Sequence, residues 1–194
     1  MKVIFLDIDG VINVENYYNS LVFENINCGT KHETTDKYGY VFCPTAIRYL
    51  HSLIDKHNTK IIISSSWRYS GIKWLKALWK FRNLPGEIID TTCCQSNKDF
   101  KKQFEEIQKL TKVRFSSHVD RGYEIQAYLN LHPEIENYVI FDDDSDMLDC
   151  QKEHFVHCDP MYGIDYRCYS EADSIFSTKK KGTQLSSFLL FMYI

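Results

Sequence analysis

Three short runs of unbroken apolar residues, 3–6 (VIFL), 61–63 (III) and 138–141 (YVIF), each end at a polar cluster. Continuous apolar runs, rather than alternating ones, predict strands covered on both faces, as in a parallel sheet. Weaker strands are expected at 87–90 and 154–157. Between these runs the apolar positions follow a helical period. Pro44 opens one helix, at a favourable first-turn position, with Ile47, Leu50, Leu53 and Ile54 on one face. Trp74, Leu75, Leu78, Trp79 and Phe81 mark a second, and Phe100, Phe104, Ile107 and Leu110 a third, in a highly charged stretch. Residues 121–131 form a fourth, with Ile125, Tyr128 and Leu129 turned inward. Strands alternating with helices predict an α/β fold, a doubly wound parallel sheet with helices on both faces. Residues 13–43, rich in Asn, Thr and Tyr, are the least regular part and read as a hairpin or flap.

The strand ends carry the chemistry. In a doubly wound sheet, ligands bind beyond the C-terminal ends of the strands. That rule gathers Asp7 and Asp9, Ser64 to Ser66, and Asp142 to Asp144 at one edge. Acids that follow a buried strand so closely need a counter-charge. An unpaired buried carboxylate is costly, or it titrates upward until it is neutral.

Composition narrows the classes. A chain of 194 residues suggests one domain, and 44% hydrophobic residues suffice for a full core. Lys plus Arg number 23 against 26 Asp plus Glu, a net charge of −3, so no general attraction to nucleic acid or acidic membranes is expected. A local basic groove stays open. The seven cysteines are odd in number and have no zinc-ribbon spacing. Only four apolar residues precede the first acid, too few for a signal peptide. Both features predict a cytoplasmic protein with free thiols. The longest apolar run, 188–194, is far short of the roughly 20 residues a membrane helix needs. It suits a terminal strand or a docking segment. No membrane association and no obligate partner chain are expected.

FLDIDGVIN resembles the first motif of the haloacid dehalogenase (HAD) superfamily, whose members are mostly phosphatases. IIISSSWR resembles its second motif and VIFDDDSD its fourth. The combination DxDGVxN, SSSWR, RGYEI and DDDSD is most similar to the HAD-type domain of Swiss Army Knife RNA repair-like proteins, over residues 1–171. The resemblance implies a HAD-like Rossmannoid catalytic domain at 1–170, a flap or small cap at 14–43 and a C-terminal extension at 171–194. It implies that Asp7 is the nucleophile, forming an aspartyl-phosphate. Asp9 would be the general acid and base. Magnesium would be held by the Asp7 carboxylate, the Asp9 carbonyl and Asp143, with Asp142 acting through a water or from behind the direct ligands. Ser64, or Ser65 if the strand ends one residue later, would donate to the phosphoryl group. Gly10 would permit a sharp turn and leave amides free for phosphoryl oxygens. Arg121, behind a plausible N-cap at Asp120, would be the cationic third motif, with Lys112 and Arg114 as alternatives.

Each residue has a plainer reading. Arg121 could make a helix salt bridge with Glu124. Trp67 could be core, and Arg68 could grip substrate or cap a helix. Residues 154–158 fit a last strand better than a metal cage built from His154, His157, Cys158 and Cys150. Cys93–Cys94 reads as core thiols, and Lys179–Lys181 as a solvated run. Tyr17, Tyr18, Phe23, Tyr38 and Tyr40 suit packing of the flap better than stacking on a base. Gaps too short for a large cap imply an open site and a bulky phosphorylated substrate, such as a phosphoprotein or a nucleic-acid end. The competing classes are a PIN/NYN-like metal-dependent nuclease and a non-catalytic module that binds a phosphorylated ligand.

Overall fold

The computed structural model describes residues 1–92, 105 and 120–178. In chain order these form β1 (Lys2–Leu6), α1 (Glu15–Asn27), β2 (Thr35–Asp36), β3 (Gly39–Tyr40), α2 (Pro44–His57), β4 (Lys60–Ile63), α3 (Ile72–Phe81), β5 (Ile88–Thr91), α4 (Arg121–Leu131), β6 (Asn137–Asp142), β7 (Phe155–His157) and α5 (Tyr166–Ser177). Single 3-10 segments lie at Ser66–Ser70 and Asp149–His154. The expected third helix, Lys112, Arg114, the Cys93–Cys94 pair, Lys179–Lys181 and the apolar run at 188–194 lie outside the described residues.

Five strands make one sheet in the order β5-β4-β1-β6-β7, every pair parallel. The chain moves outward from β1 to β4 and β5, then returns to the other side of β1 as β6 and β7. The order therefore reverses between β1 and β6, the place where a crevice opens beyond the strand ends.

Alternation along β1 explains why its run is apolar throughout. Val3 and Phe5 face one side, with Ile62, Ile140 and the α4 residues Ile125 and Tyr128. Ile4 and Leu6 face the other, with Ile61, Ile63, Val139, Phe141 and the buried faces of α2, α3 and α5. Val3, Ile4, Phe5 and Leu6 are fully buried, so polarity is excluded from there until Asp7.

Two elements depart from the expected outline. The irregular segment contains a helix, α1, of which only Leu21 is buried. Its polar sequence and its uncapped start at Val14 explain why no apolar period announces it. The rest of the segment is a two-stranded hairpin, β2–β3, held down by Arg82, which donates to Asp36 at 2.8 and 2.9 Å. Tyr38 packs on Trp74 and Phe81, and Tyr18 on Tyr40, so these three pack the flap, whereas Phe23, expected to join them, is exposed. At the other end, α5 carries the core past residue 170, burying Ala172 and Phe176 beyond the start expected for the extension. No helix among the described residues is long and apolar enough to cross a membrane.

Candidate active site

β1 and β6 are adjacent, and each delivers an acid where its apolar run stops. The Asp7 amide continues the ladder by donating to the Phe141 carbonyl at 3.0 Å. Asp142 is the last residue of β6, and Asp143 follows at once. Carboxylate oxygens of Asp7, Asp142 and Asp143 all lie within 4.8 Å of one another. Three acids from two distant segments thus meet at the point where the strand order reverses.

Their electrostatics are unfavourable as they stand. Burial pushes Asp7 up to about 6, against the pull of the Arg121 guanidinium and of the neighbouring Ser65 hydroxyl. Burial and the neighbouring Asp7 push Asp142 up to about 8. Asp143 is also raised, first by burial. Asp142 Oδ1 accepts the Asp144 amide at 3.0 Å, but Oδ2 is buried with no hydrogen-bond partner among the described residues. Arg121 Nε lies 3.6 Å from that oxygen, and Arg121 Nη1 is likewise buried and unbonded. A compact set of carboxylate oxygens, one of them orphaned, fits a hard divalent cation such as magnesium. The orphaned guanidinium nitrogen beside it fits an anion.

The two serines divide the work in the reverse of the expected order. The Ser65 side chain faces Asp7 and helps to hold its carboxyl down. Ser64 Oγ instead lies 3.4 Å from Thr92 Oγ1, within the sheet. Successive residues point to opposite sides, so locating the strand end one residue early exchanges them. Gly10 also differs from expectation. Its amide is already used, donating to the Asn13 carbonyl at 2.9 Å. What it contributes is space: at φ 69°, a Cβ there would run into the Asp143 carboxylate.

Arg121 does not pair with Glu124. That acid is taken by Arg68, at 2.7 Å in a pair almost wholly out of solvent. Arg68 also donates to the Ser65 carbonyl at 3.1 Å. It therefore neither reaches for substrate nor caps a helix; it ties the Ser65 turn to α4. With Glu124 engaged, Arg121 is left to face Asp142. The helix start expected at Asp120 is capped from elsewhere, since Arg121 N donates to Asp146 Oδ2 at 2.7 Å and no Asp120 side-chain cap forms. Asp146 is the residue most plainly missed. Its signal was the fourth aspartate of DDDSD, in reach of the same loop.

Asp9 stands apart from the carboxylate group. Its Oδ1 accepts Asn13 Nδ2 at 2.7 Å and its Oδ2 accepts the Trp67 indole Nε1 at 2.8 Å. Trp67 is thus more than core. Its aromatic packing on Phe42 and Trp74 places a polar edge against Asp9. Of the residues read as a last strand, Phe155–His157 form β7, while His154 ends the preceding 3-10 segment, bonded to the Tyr138 carbonyl and stacked on its ring. His157 Nε2 sits 2.8 Å from the Asp143 carbonyl.

No curated protein and no solved structure matches the chain. Residues 3–167 match the family described as "HAD domain in Swiss Army Knife RNA repair proteins". That span includes every side chain placed in the site above and most of the sheet and its helices. With the match extending over most of its length, this chain belongs to that family of HAD domains.

Proposed function

We propose that the chain is a magnesium-dependent phosphomonoesterase that works through an aspartyl-phosphate on Asp7. The observation that carries this reading is the pairing of two unmet needs around one nucleophile. Asp142 Oδ2 and Arg121 Nη1 are both buried without a hydrogen-bond partner beside Asp7, and the guanidinium meets that carboxylate only at 3.6 Å. A metal-bound phosphate monoester meets both.

In the first step a carboxylate oxygen of Asp7 attacks phosphorus as the ester P–O bond breaks, and Asp9 gives its proton to the departing oxygen. In the second, water attacks the aspartyl-phosphate and passes a proton to Asp9. The Asp7–phosphorus bond breaks, releasing inorganic phosphate and the free carboxylate. The Ser65 hydroxyl and the Arg121 guanidinium hold the phosphoryl oxygens where negative charge gathers. Magnesium, when bound, supplies the counter-charge for acids and phosphate. The Asp7, Asp142 and Asp143 carboxylates would hold it, with the Asp9 carbonyl. Ser64 supports the turn from within the sheet.

The flap is one helix and a short hairpin, a cover small enough to suit a bulky substrate. The family's name concerns RNA repair, so phosphorylated RNA ends are the first substrates to assay, with phosphopeptides and nucleotides as comparison. Asp7→Asn should lower turnover by at least about 10⁴-fold with the fold intact. Beryllofluoride with magnesium should bind the wild-type protein and not Asp7→Asn. Normal turnover by the variant, or no adduct on the wild type, would remove the covalent mechanism and leave the metal-dependent nuclease in its place.

A further inference from the structure

A carboxylate that must protonate a leaving group has to be held at one angle, yet Asp9 is solvent-exposed. An exposed Asp rotates freely unless bonded. Here each of its oxygens accepts one N–H. Asn13 Nδ2 reaches Oδ1 at 2.7 Å, and Trp67 Nε1 reaches Oδ2 at 2.8 Å. The two donors come from segments anchored separately. Asn13 closes the loop after β1, its own amide donating to the Ile8 carbonyl at 2.8 Å. Trp67 lies in the turn after β4, with ring centroids 5.7 Å from Phe42 and 6.0 Å from Trp74. The hairpin passes over it at Gly39.

We propose that the Trp67 indole N–H and the Asn13 amide are positioning groups for Asp9, fixing its carboxylate at the angle from which it protonates the leaving oxygen. The inference rests on the phosphatase reading. Each carboxylate oxygen has two lone pairs, so one N–H per oxygen fixes the plane and leaves a site for the transferred proton. The Trp67 main-chain amide also lies 3.4 Å from Ser65 Oγ, and Ser65 contacts Asp7. One short turn therefore orients both the residue against the nucleophile and the residue against the acid. An error of about 1 Å in such a placement costs on the order of 100-fold in rate.

A merely structural Trp67 and a positioning Trp67 differ in which substrates they affect. An alkyl phosphate needs a proton on its leaving oxygen, whereas a dinitrophenyl phosphate releases a stable phenolate without one. Trp67→Phe keeps the ring and removes the N–H; Asn13→Ala removes the other donor without touching the aromatic packing. Each should lower kcat/KM for an alkyl phosphate by roughly 10- to 100-fold. Each should change kcat/KM for dinitrophenyl phosphate by less than about threefold; kcat/KM is the readout because it ends at loss of the leaving group, before the hydrolysis step that both substrates share and in which Asp9 takes the water's proton. Thermal melts of both variants check folding. An equal drop in kcat/KM on the two substrates, or no drop on either, overturns the positioning role while the phosphatase reading stands. A wild-type protein inert to both substrates overturns the phosphatase reading, and the inference falls with it.

Discussion

At Gly10 the backbone sits at φ 69°, and the missing side chain is replaced by the Asp143 carboxylate. Gly10→Ala adds a methyl group where that carboxylate must lie, in a conformation L-residues adopt reluctantly. The expected result is a folded protein whose affinity for magnesium falls by about 10- to 100-fold, read by calorimetric titration. Ser65→Ala tests the neighbouring contact. It removes the hydroxyl beside Asp7 and should lower kcat by roughly 10- to 100-fold. Ser64→Ala, whose partner is Thr92 within the sheet, should change activity far less. Activity measured with both alanine variants separates the two serines, which differ by one position in the chain and by opposite directions in space.

The Arg68–Glu124 pair belongs to the scale of elements, because it joins the turn after β4 to helix α4. Both side chains are over nine-tenths buried, and their separation is 2.7 Å. Removing one partner leaves a charge stranded away from water, so Arg68→Met should cost about 3–5 kcal/mol in a denaturant melt. Arg68→Met with Glu124→Leu should recover most of that loss, since apolar replacements of similar volume avoid the desolvation penalty. Activity should not recover with it. Arg68 also holds the Ser65 carbonyl, and α4 carries Arg121, so the double variant should stay roughly 10-fold below wild type in kcat. Recovery of both properties together would show that the pair serves stability alone.

Across the whole molecule, the site is a region of concentrated negative charge inside a chain whose net charge is only −3. Burial raises the Asp142 carboxyl from an ordinary 3.8 to about 8 and that of Asp7 to about 6. A raised acid binds its proton more tightly when folded. Its contribution to stability is therefore complete below the ordinary carboxylate range and is lost as pH climbs towards 8. The metal-free protein should accordingly melt at lower temperature at about pH 8 than at about pH 5. Magnesium should raise the melting temperature more at the higher pH, where the acids are ionised and able to bind it. Asp142→Asn should flatten both trends. A melting temperature that is flat between those pH values in the wild type, with or without magnesium, would mean that the three acids do not share an ion.

The strands at 3–6, 61–63 and 138–141, the helix opened by Pro44 and the acids at the strand ends were legible in the chain because each is a local signal. An unbroken apolar run can only be satisfied by burial on both faces, and a parallel sheet then brings the polar residues that end such runs to one edge. The same locality hid α1, whose polar surface carries no period, and α5, whose four-residue spacing of Cys168, Ala172 and Phe176 is buried where the helix meets α2, β6 and β7. Tertiary structure alone decided that Ser65 and not Ser64 faces Asp7, that Glu124 pairs with Arg68 rather than with Arg121, that Asp146 caps α4, and that the Trp67 indole reaches Asp9. Each of these is a direction taken by a side chain towards a partner on another segment. Periodicity in one segment can say which residues are buried, but the partner across the crevice is chosen only when the segments pack together.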